Sequence, residues 1–525
     1  MESSKSIPAL IAQRASENPE KTFIREVDGR TVTYGEFQTE ALKWAALFAK
    51  LQVGEGATVL TMLSPSADAY AIWIGLSWVR AIEVPCNTDY QERMLAYLCS
   101  NSGARVAVVA KQWVHRFREI ADRLPGLEIV IVPDAEEPID LPWRTATRND
   151  AHALAPAEGL SPPMPWEISL MVYTSGTTGQ SKGVLMPWGQ QRENSVGSIP
   201  EDCLTENDVY YSAFPMFHGS GRMPLCLMAL SNGHLVVREK FNTDKFWEDI
   251  RKYGCTTTAL VGAMVQFLWL QEPKEDDRDN PLRQAVMLPL HPEWRGFEKR
   301  FDIRVRTAYA MTECSPPIGT GWDIRDPLSC GTLRPGYEAR IVDAHDYEVP
   351  PGELGELIVR HKDPWKLFLG YFGMPDKTME AWRNGWLHTG DAFRRDAKGN
   401  YYFVDRFKDA IRRRGENISS FEVELHVNAH PEVQESAAVA VPSEWGEDEV
   451  KVVVVRVPNS ELRPEVLMQF LTRTMPKFMV PRYVEFVDSL PKTDATMRVR
   501  KVELRVNPIN ENTWDRETPR SATSK

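Results

Sequence analysis

Residues 173–184 read Tyr173-Thr-Ser-Gly-Thr-Thr-Gly-Gln-Ser-Lys182-Gly-Val, directly after the apolar run from Ile168. Two glycines, Gly176 and Gly179, permit positive φ and close backbone approach to a ligand. Four hydroxyls, on Thr174, Ser175, Thr177 and Thr178, and the backbone N–H groups can wrap phosphate oxygens, and Lys182 adds charge. The order G-x-x-x-x-G-K-[ST] is absent, so this is not a P-loop. A polar turn between strands is the simpler alternative, but such a turn rarely follows a buried strand with this set of groups. The stretch reads as a phosphate-binding loop after a buried strand, and the fold around it is α/β by the alternation of its neighbours.

The segments upstream agree. Ala57–Leu63, Val106–Ala110 and Ile129–Pro133 are short apolar runs, while Ser66–Val79 and Gln91–Ser100 have helical spacing. Alternation of this kind predicts mostly parallel strands with helices on the sheet faces. Asp134–Pro165 holds six prolines and little periodicity, and reads as a connector. Beyond Gly331 the texture becomes short strands and turns, including Ala339–Val342, Glu356–Arg360 and Tyr401–Asp405. From Phe421 an α+β unit follows: helix Phe421–Asn428, strands Ser436–Val441 and Val450–Val457, helix Pro464–Thr472 and strand Tyr483–Val487. The segment after Leu504 reads as a polar, loose tail.

Composition bounds the partners. The 525 residues carry 62 Lys+Arg against 73 Asp+Glu, a net charge of −11, which argues against a general nucleic-acid binder. The most apolar long stretch, Ala69–Pro85, contains Arg80 and Glu83 and is too short and too charged for an integral membrane segment. The N-terminus shows no secretory pattern. Seven scattered cysteines without a C-x-x-C pair suit a reducing cytoplasm better than a disulfide or zinc framework.

Further stretches follow in order: Thr33-Tyr34-Gly-Glu-Phe, Phe214-Pro-Met-Phe-His218-Gly-Ser-Gly221, Tyr309-Ala-Met-Thr312-Glu313, Gly352-Glu-Leu-Gly-Glu356-Leu, Trp386-Leu-His-Thr389-Gly390-Asp391, and Asp405-Arg406-Phe-Lys408 running to Gly415-Glu416-Asn417. With the loop at 174–182 they resemble the adenylate-forming superfamily: acyl-CoA synthetases, stand-alone adenylation domains and beetle-type luciferases. The texture is closest to carnitine/crotonobetaine-type and fatty-acid CoA ligases.

That resemblance implies a large N-terminal domain, 1–407, of two mixed sheets flanked by helices, with a small β-barrel-like part at about 331–405. It also implies a small mobile α+β C-terminal domain, 408–525, with its hinge at Lys408 and a polar tail after about 505. ATP would be held by Thr174, Ser175, Gly176, Thr177, Thr178, Gly179 and Lys182, with Tyr309 stacked on adenine. Thr312 would meet the α-phosphate, Glu313 would hold Mg²⁺, and Asp391 and Arg406 would take the ribose. His218 would be the wall between acid and thiol, and His218, Ser220, Met223, Val261, Gly262, Met264 and Leu288 would line the acyl pocket. Gly415, Glu416 and Asn417 would face coenzyme A.

Three departures stand out. Ser181 replaces the usual proline before the loop lysine. Val286-Met-Leu-Pro-Leu290 replaces a small-residue stretch. Near the C-terminus, Leu490-Pro-Lys492-Thr-Asp-Ala-Thr-Met497-Arg498-Val-Arg500-Lys501 lacks the usual Gly-Lys. Aligning the flanking strand puts Arg498 at the catalytic lysine, an ungapped alignment puts Met497 there, and Lys492 and Lys501 are substitutes. Arginine keeps the charge and can bind two oxygens.

The implied activity is AMP-forming ligation of a small-molecule carboxylic acid, medium- to long-chain or bulky and cyclic, to coenzyme A. Loading of a carrier protein, luciferase-type oxygenation, and a catalytically impaired nucleotide binder are the alternatives. A homodimer is left open.

Overall fold

The computed structural model describes residues 5–174, 181–406, 411–413, 416–443, 448–492 and 499–517. The chain divides into two compact units. One comprises 1–324, 331–338 and 359–387; the other comprises 325–330, 339–358 and 388–525.

The first unit is built on two mixed sheets. In one, the spatial order is Arg304–Arg306, Gln284–Leu288, Thr257–Val261, Val209–Ser212, His234–Val237, Thr22–Glu26 and Thr31–Thr33, and only the last strand runs antiparallel. The other runs Gly370–Tyr371, Lys182–Pro187, Ile168–Thr174, Ile82–Pro85, Thr58–Met62, Val106–Val109, Ile129–Val132 and Arg144–Thr147, with antiparallel pairing confined to its first three strands. Val106–Val109 and Ile129–Val132 are buried at every position, as expected of parallel strands covered on both faces.

Helix Tyr34–Lys50 explains the Thr33-Tyr34-Gly-Glu-Phe stretch. Thr33 and Glu36 close a capping box, and the Tyr34 hydroxyl donates to the carbonyls of Met228 and Gly233. Helix Ala67–Trp78 is capped by Ser66 and buried nearly all round. Its Gly75 lets it lie against Tyr34–Lys50, since a Cβ there would come within 2.7 Å of the Ala41 carbonyl. Trp73 stacks on Trp188 at 5.0 Å.

The expected connector 134–165 is not wholly irregular. Arg144–Thr147 adds an edge strand, and Thr147 and Asp150 box-cap the short helix Arg148–His152. Four residues headed by an arginine carry too weak an apolar signal to be read as a strand.

In the second unit, the stretches 400–406, 388–395, 355–358 and 339–342 of neighbouring strands lie side by side in that order. Helix Ser420–Asn428 follows, capped by Ser419. A four-stranded sheet of Val433–Pro442, Asp448–Arg456, Tyr483–Val487 and Trp514–Asp515 completes the unit. Its core gathers Val423, Val427, Val452, Val454, Leu467 and Leu471.

The expectation of a loose tail after Leu504 is corrected. Trp514–Asp515 pairs antiparallel with Tyr483–Val484. Arg482 grips Asp515 at 3.0 Å, and Lys451 donates to the Pro508 carbonyl at 2.7 Å. Two polar-flanked residues give no periodic signal, so only tertiary pairing reveals this strand.

Candidate active site

Strand Ile168–Thr174 and strand Lys182–Pro187 pair in register, Thr174 opposite Lys182, and so bracket the Gly-rich loop. Gly370–Tyr371 pairs with the other edge of Lys182–Pro187, Tyr371 opposite Val184. The Lys182 ammonium lies 4.0 Å from the centre of the Tyr371 ring. The Tyr371 hydroxyl donates to Glu313 Oε1 at 2.9 Å. Glu313 is buried, its carbonyl accepts from Phe368 N at 2.9 Å, and the Thr312 carbonyl accepts from Gln190 Nε2 at 2.8 Å. Lysine, tyrosine and carboxylate thus form one polar chain at the root of the loop. Tyr309 is buried on strand Ala308–Met311, with its hydroxyl 3.6 Å from Met311 Sδ.

Several residues expected from the sequence to line an acyl pocket lie near the carboxyl ends of the first sheet. Val261 and Leu288 are register partners at the ends of adjacent parallel strands, and such strand ends are the usual ligand crevice of an α/β sheet. Gly262 opens the helix Gly262–Trp269 that carries Met264. His218 caps helix Gly219–Ser231, which carries Ser220 and buried Met223. His218 Nδ1 accepts from Ser220 N at 3.1 Å, which leaves Nε2 to bear the proton. Burial pulls the imidazole down to about 4. The loop packs tightly: a Cβ on Gly221 would meet the Pro215 carbonyl at 2.2 Å.

In the second unit Asp391 faces Arg406 across antiparallel strands, Oδ1 to Nε 3.4 Å. Gly390 has φ +71, which a glycine adopts without strain, and its N–H donates to Glu356 Oε1 at 2.9 Å. Glu356 Oε2 lies 2.9 Å from His388 Nδ1, so one carboxylate orders the turn that carries Asp391. Next to Arg406, Asp405 accepts from Ser420 N at 2.8 Å and fixes the start of helix Ser420–Asn428.

Lys492 and Lys501 are committed within this unit, to Glu435 at 2.5 Å and Glu424 at 2.8 Å. Ser175, Gly176, Thr177, Thr178, Gly179, Lys408, Gly415, Met497 and Arg498 lie outside the described residues. Glu416 and Asn417 fall on strand Glu416–Ile418, paired with Ile411–Arg413.

Sequence reading overlooked Tyr371 and Gln190. The signal available was Gly370-Tyr371, a glycine at φ +146 before an aromatic, on no recognised motif. It also left Glu356 without a role.

Residues 11–372 match the AMP-binding enzyme family and residues 422–496 match the AMP-binding enzyme C-terminal domain. The crotonobetaine/carnitine–CoA ligase of Salmonella arizonae is 32% identical over 484 residues, covering 89% of this chain and 92% of that protein. Its counterpart from Escherichia coli O17:K52:H18 is 33% identical over 482 residues, with coverage of 89% and 92%. Among solved structures, ATP-bound MatB from Rhodopseudomonas palustris superposes with a TM-score of 0.83 at 25% identity, covering 96% of this chain and 99% of that one. The anthranilate CoA ligase AuaEII in complex with anthranoyl-AMP gives 0.86 at 23% identity, covering 96% and 97%, and shares the fold. The chain belongs to the AMP-binding enzyme family, in its acyl-CoA ligase class. No helix among the described residues is long and apolar enough to cross a membrane.

Proposed function

We propose that the protein joins a carboxylic acid to coenzyme A in two half-reactions. The acid carboxylate attacks the α-phosphorus of ATP, pyrophosphate leaves, and an acyl-adenylate forms. The thiol of coenzyme A then attacks the acyl carbonyl and AMP departs. The Lys182–Tyr371–Glu313 chain beside the Gly-rich loop is the observation that carries this reading.

The protein's share of the first step is positioning and charge. Lys182 and the loop hold phosphate oxygens, Tyr309 stacks on adenine, and Asp391 with Arg406 takes the ribose. Glu313 is a single carboxylate oriented by Tyr371, which suits Mg²⁺ carried in on ATP phosphates. The ion would supply charge neutralisation between the phosphates and the protein. Arg498 brings the cation to the reacting carboxylate and α-phosphate. The ion pairs of Lys492 and Lys501 inside their own unit favour Arg498 over either lysine.

Lys408 is the hinge about which the segment 408–525 turns between half-reactions. Gly415–Asn417 then face the thiol, and His218, neutral by burial, walls the acid from the thiol route.

The acid is medium- to long-chain or bulky and cyclic. Met223, Val261, Met264 and Leu288 are apolar, and none offers the carboxylate or aromatic face that would recognise a quaternary ammonium group. The relatives' names make betaine acids the necessary comparison. Seven scattered cysteines without a C-x-x-C pair suit a reducing compartment, and we assign the enzyme to the cytoplasm.

The test is pyrophosphate release from ATP and Mg²⁺ over aliphatic, cyclic, aromatic and betaine acids, with and without coenzyme A. Acid-dependent release with a thioester product supports the reading. Release that proceeds only with a carrier protein, or no release with any acid, overturns it.

A further inference from the structure

The side chains of Glu83 and Arg222 are 0% and 1% exposed, and Arg222 Nη2 lies 2.7 Å from Glu83 Oε1. A fully buried ion pair is a poor device for stability, because apolar residues of the same shape often serve as well or better. This one is also incompletely satisfied. Glu83 Oε2 and Arg222 Nη1 find no hydrogen-bond partner among the described residues. Such a pair, retained in a core, calls for another role.

Its connections indicate one. Glu83 stands in the otherwise apolar strand Ile82–Pro85, and Thr61 on the neighbouring strand donates to the same Oε1 at 2.6 Å. The Arg222 guanidinium lies 4.8 Å from the centre of the Trp73 ring. Its remaining directed bond runs from Nε to the Met216 carbonyl at 2.8 Å. Tyr70 donates to the Gly221 carbonyl at 2.6 Å. Met216 and Gly221 lie on either side of His218 along the chain. One sheet and one helix therefore hold the backbone before and after that histidine.

We infer that Arg222, oriented by Glu83, is a positioning residue that fixes the 216–221 backbone, and through it His218, Ser220 and Met223, so that it governs acid affinity and the thiol step but not ATP affinity. This rests on the proposed placement of His218 at the acid–thiol boundary. Neither Glu83 nor Arg222 touches the Lys182–Tyr371–Glu313 chain, which is why the nucleotide side is spared.

The full chain is tested with two replacements. The double variant Glu83→Leu/Arg222→Met refills the core without charge. Arg222→Lys keeps a cation beside Glu83, but its single nitrogen lacks the separate, planar Nε–H that Arg222 gives to the Met216 carbonyl. Pyrophosphate release gives KM for ATP and for the acid, thioester formation from supplied acyl-adenylate gives the thiol step, and thermal unfolding reports the fold.

Both variants are expected to hold KM for ATP within about twofold, to raise KM for the acid about tenfold, and to slow the thiol step about tenfold, as misplacement of a site wall would. Values all within twofold of the parent, or KM for ATP and acid rising together with a fall in Tm, overturn the inference. Should the double variant not fold, Arg222→Lys and Tyr70→Phe, which removes one hydroxyl, decide by the same criteria. A parent enzyme that releases pyrophosphate with an acid yet never forms a CoA thioester sinks the proposed function instead. The acid KM of the variants still judges the positioning role in that case.

Discussion

Lys182 lies over the ring of Tyr371 while the hydroxyl of that ring donates to Glu313, so one tyrosine touches both the cation and the carboxylate of the proposed nucleotide site. Its two halves can be separated. Tyr371→Phe keeps the ring and loses the bond to a charged acceptor, worth ~1.5–3 kcal/mol. The expected result is a rise of about 10- to 100-fold in the Mg²⁺·ATP requirement for pyrophosphate release, with the fold intact. Tyr371→Leu should also free Lys182 and cost more. Equal behaviour of Phe and wild type would remove Tyr371 from the site.

Asp391 and Arg406 face each other at 3.4 Å across antiparallel strands, and Glu356 orders the turn beside Asp391. Asp391→Ala should raise KM for ATP about 10- to 100-fold, the size of one or two charge-assisted hydrogen bonds. Glu356→Gln should do the same more weakly, because it acts on Asp391 through Gly390 and His388. Isothermal titration with ATP checks both. Unchanged affinity in Asp391→Ala would refute the ribose assignment.

Arg498 is assigned the charge that meets carboxylate and α-phosphate. Arg498→Met should slow adenylation about 100- to 1,000-fold, as loss of a preorganised donor does. Thioester formation from supplied acyl-adenylate should survive, and Arg498→Lys should restore adenylation in large part. A selective adenylation loss in Lys492→Met or Lys501→Met would transfer the role to that lysine.

Burial pulls His218, His234 and His291 down to about 4. Unfolded, each titrates near its ordinary 6.5. Between those values the unfolded chain takes up protons that the native chain refuses, so stability falls as pH falls through this window and is complete above it. The limiting loss is at most about 3 kcal/mol per histidine. Urea midpoints should decline from pH 6.5 toward 4.5, and His291→Gln should flatten that decline. A level profile would contradict the burial of these rings. Catalysis should show no imidazolium requirement above pH 5.

Most of the architecture was legible because continuous apolar strands and a Gly-rich turn are local signals. Helical spacing over Ser66–Val79 was equally local, and the helix Ala67–Trp78 fills that stretch. What escaped was non-local. Tyr371 reaches Glu313 through pairing of a two-residue strand, and nothing near it in the sequence marks the partner. Glu83 was visible as a charge interrupting an apolar stretch, which excluded a membrane span. Its partner lies 139 positions on, and only the packed sheet unites them. Arg144–Thr147 and Trp514–Asp515 were missed because short edge strands draw their stability from neighbours rather than from their own residues.

The strand Trp514–Asp515 closes one side of the C-terminal sheet. A chain trimmed after Leu504 would bare the edge of Tyr483–Val484 that this strand pairs with, and Lys451 would lose the Pro508 carbonyl that it grips. An uncovered edge of this sort is a template for another copy of the same strand. Trp514–Asp515 thus covers part of an edge that would otherwise be open, and a chain lacking it should scatter light and sediment as assemblies under conditions where the full chain does not.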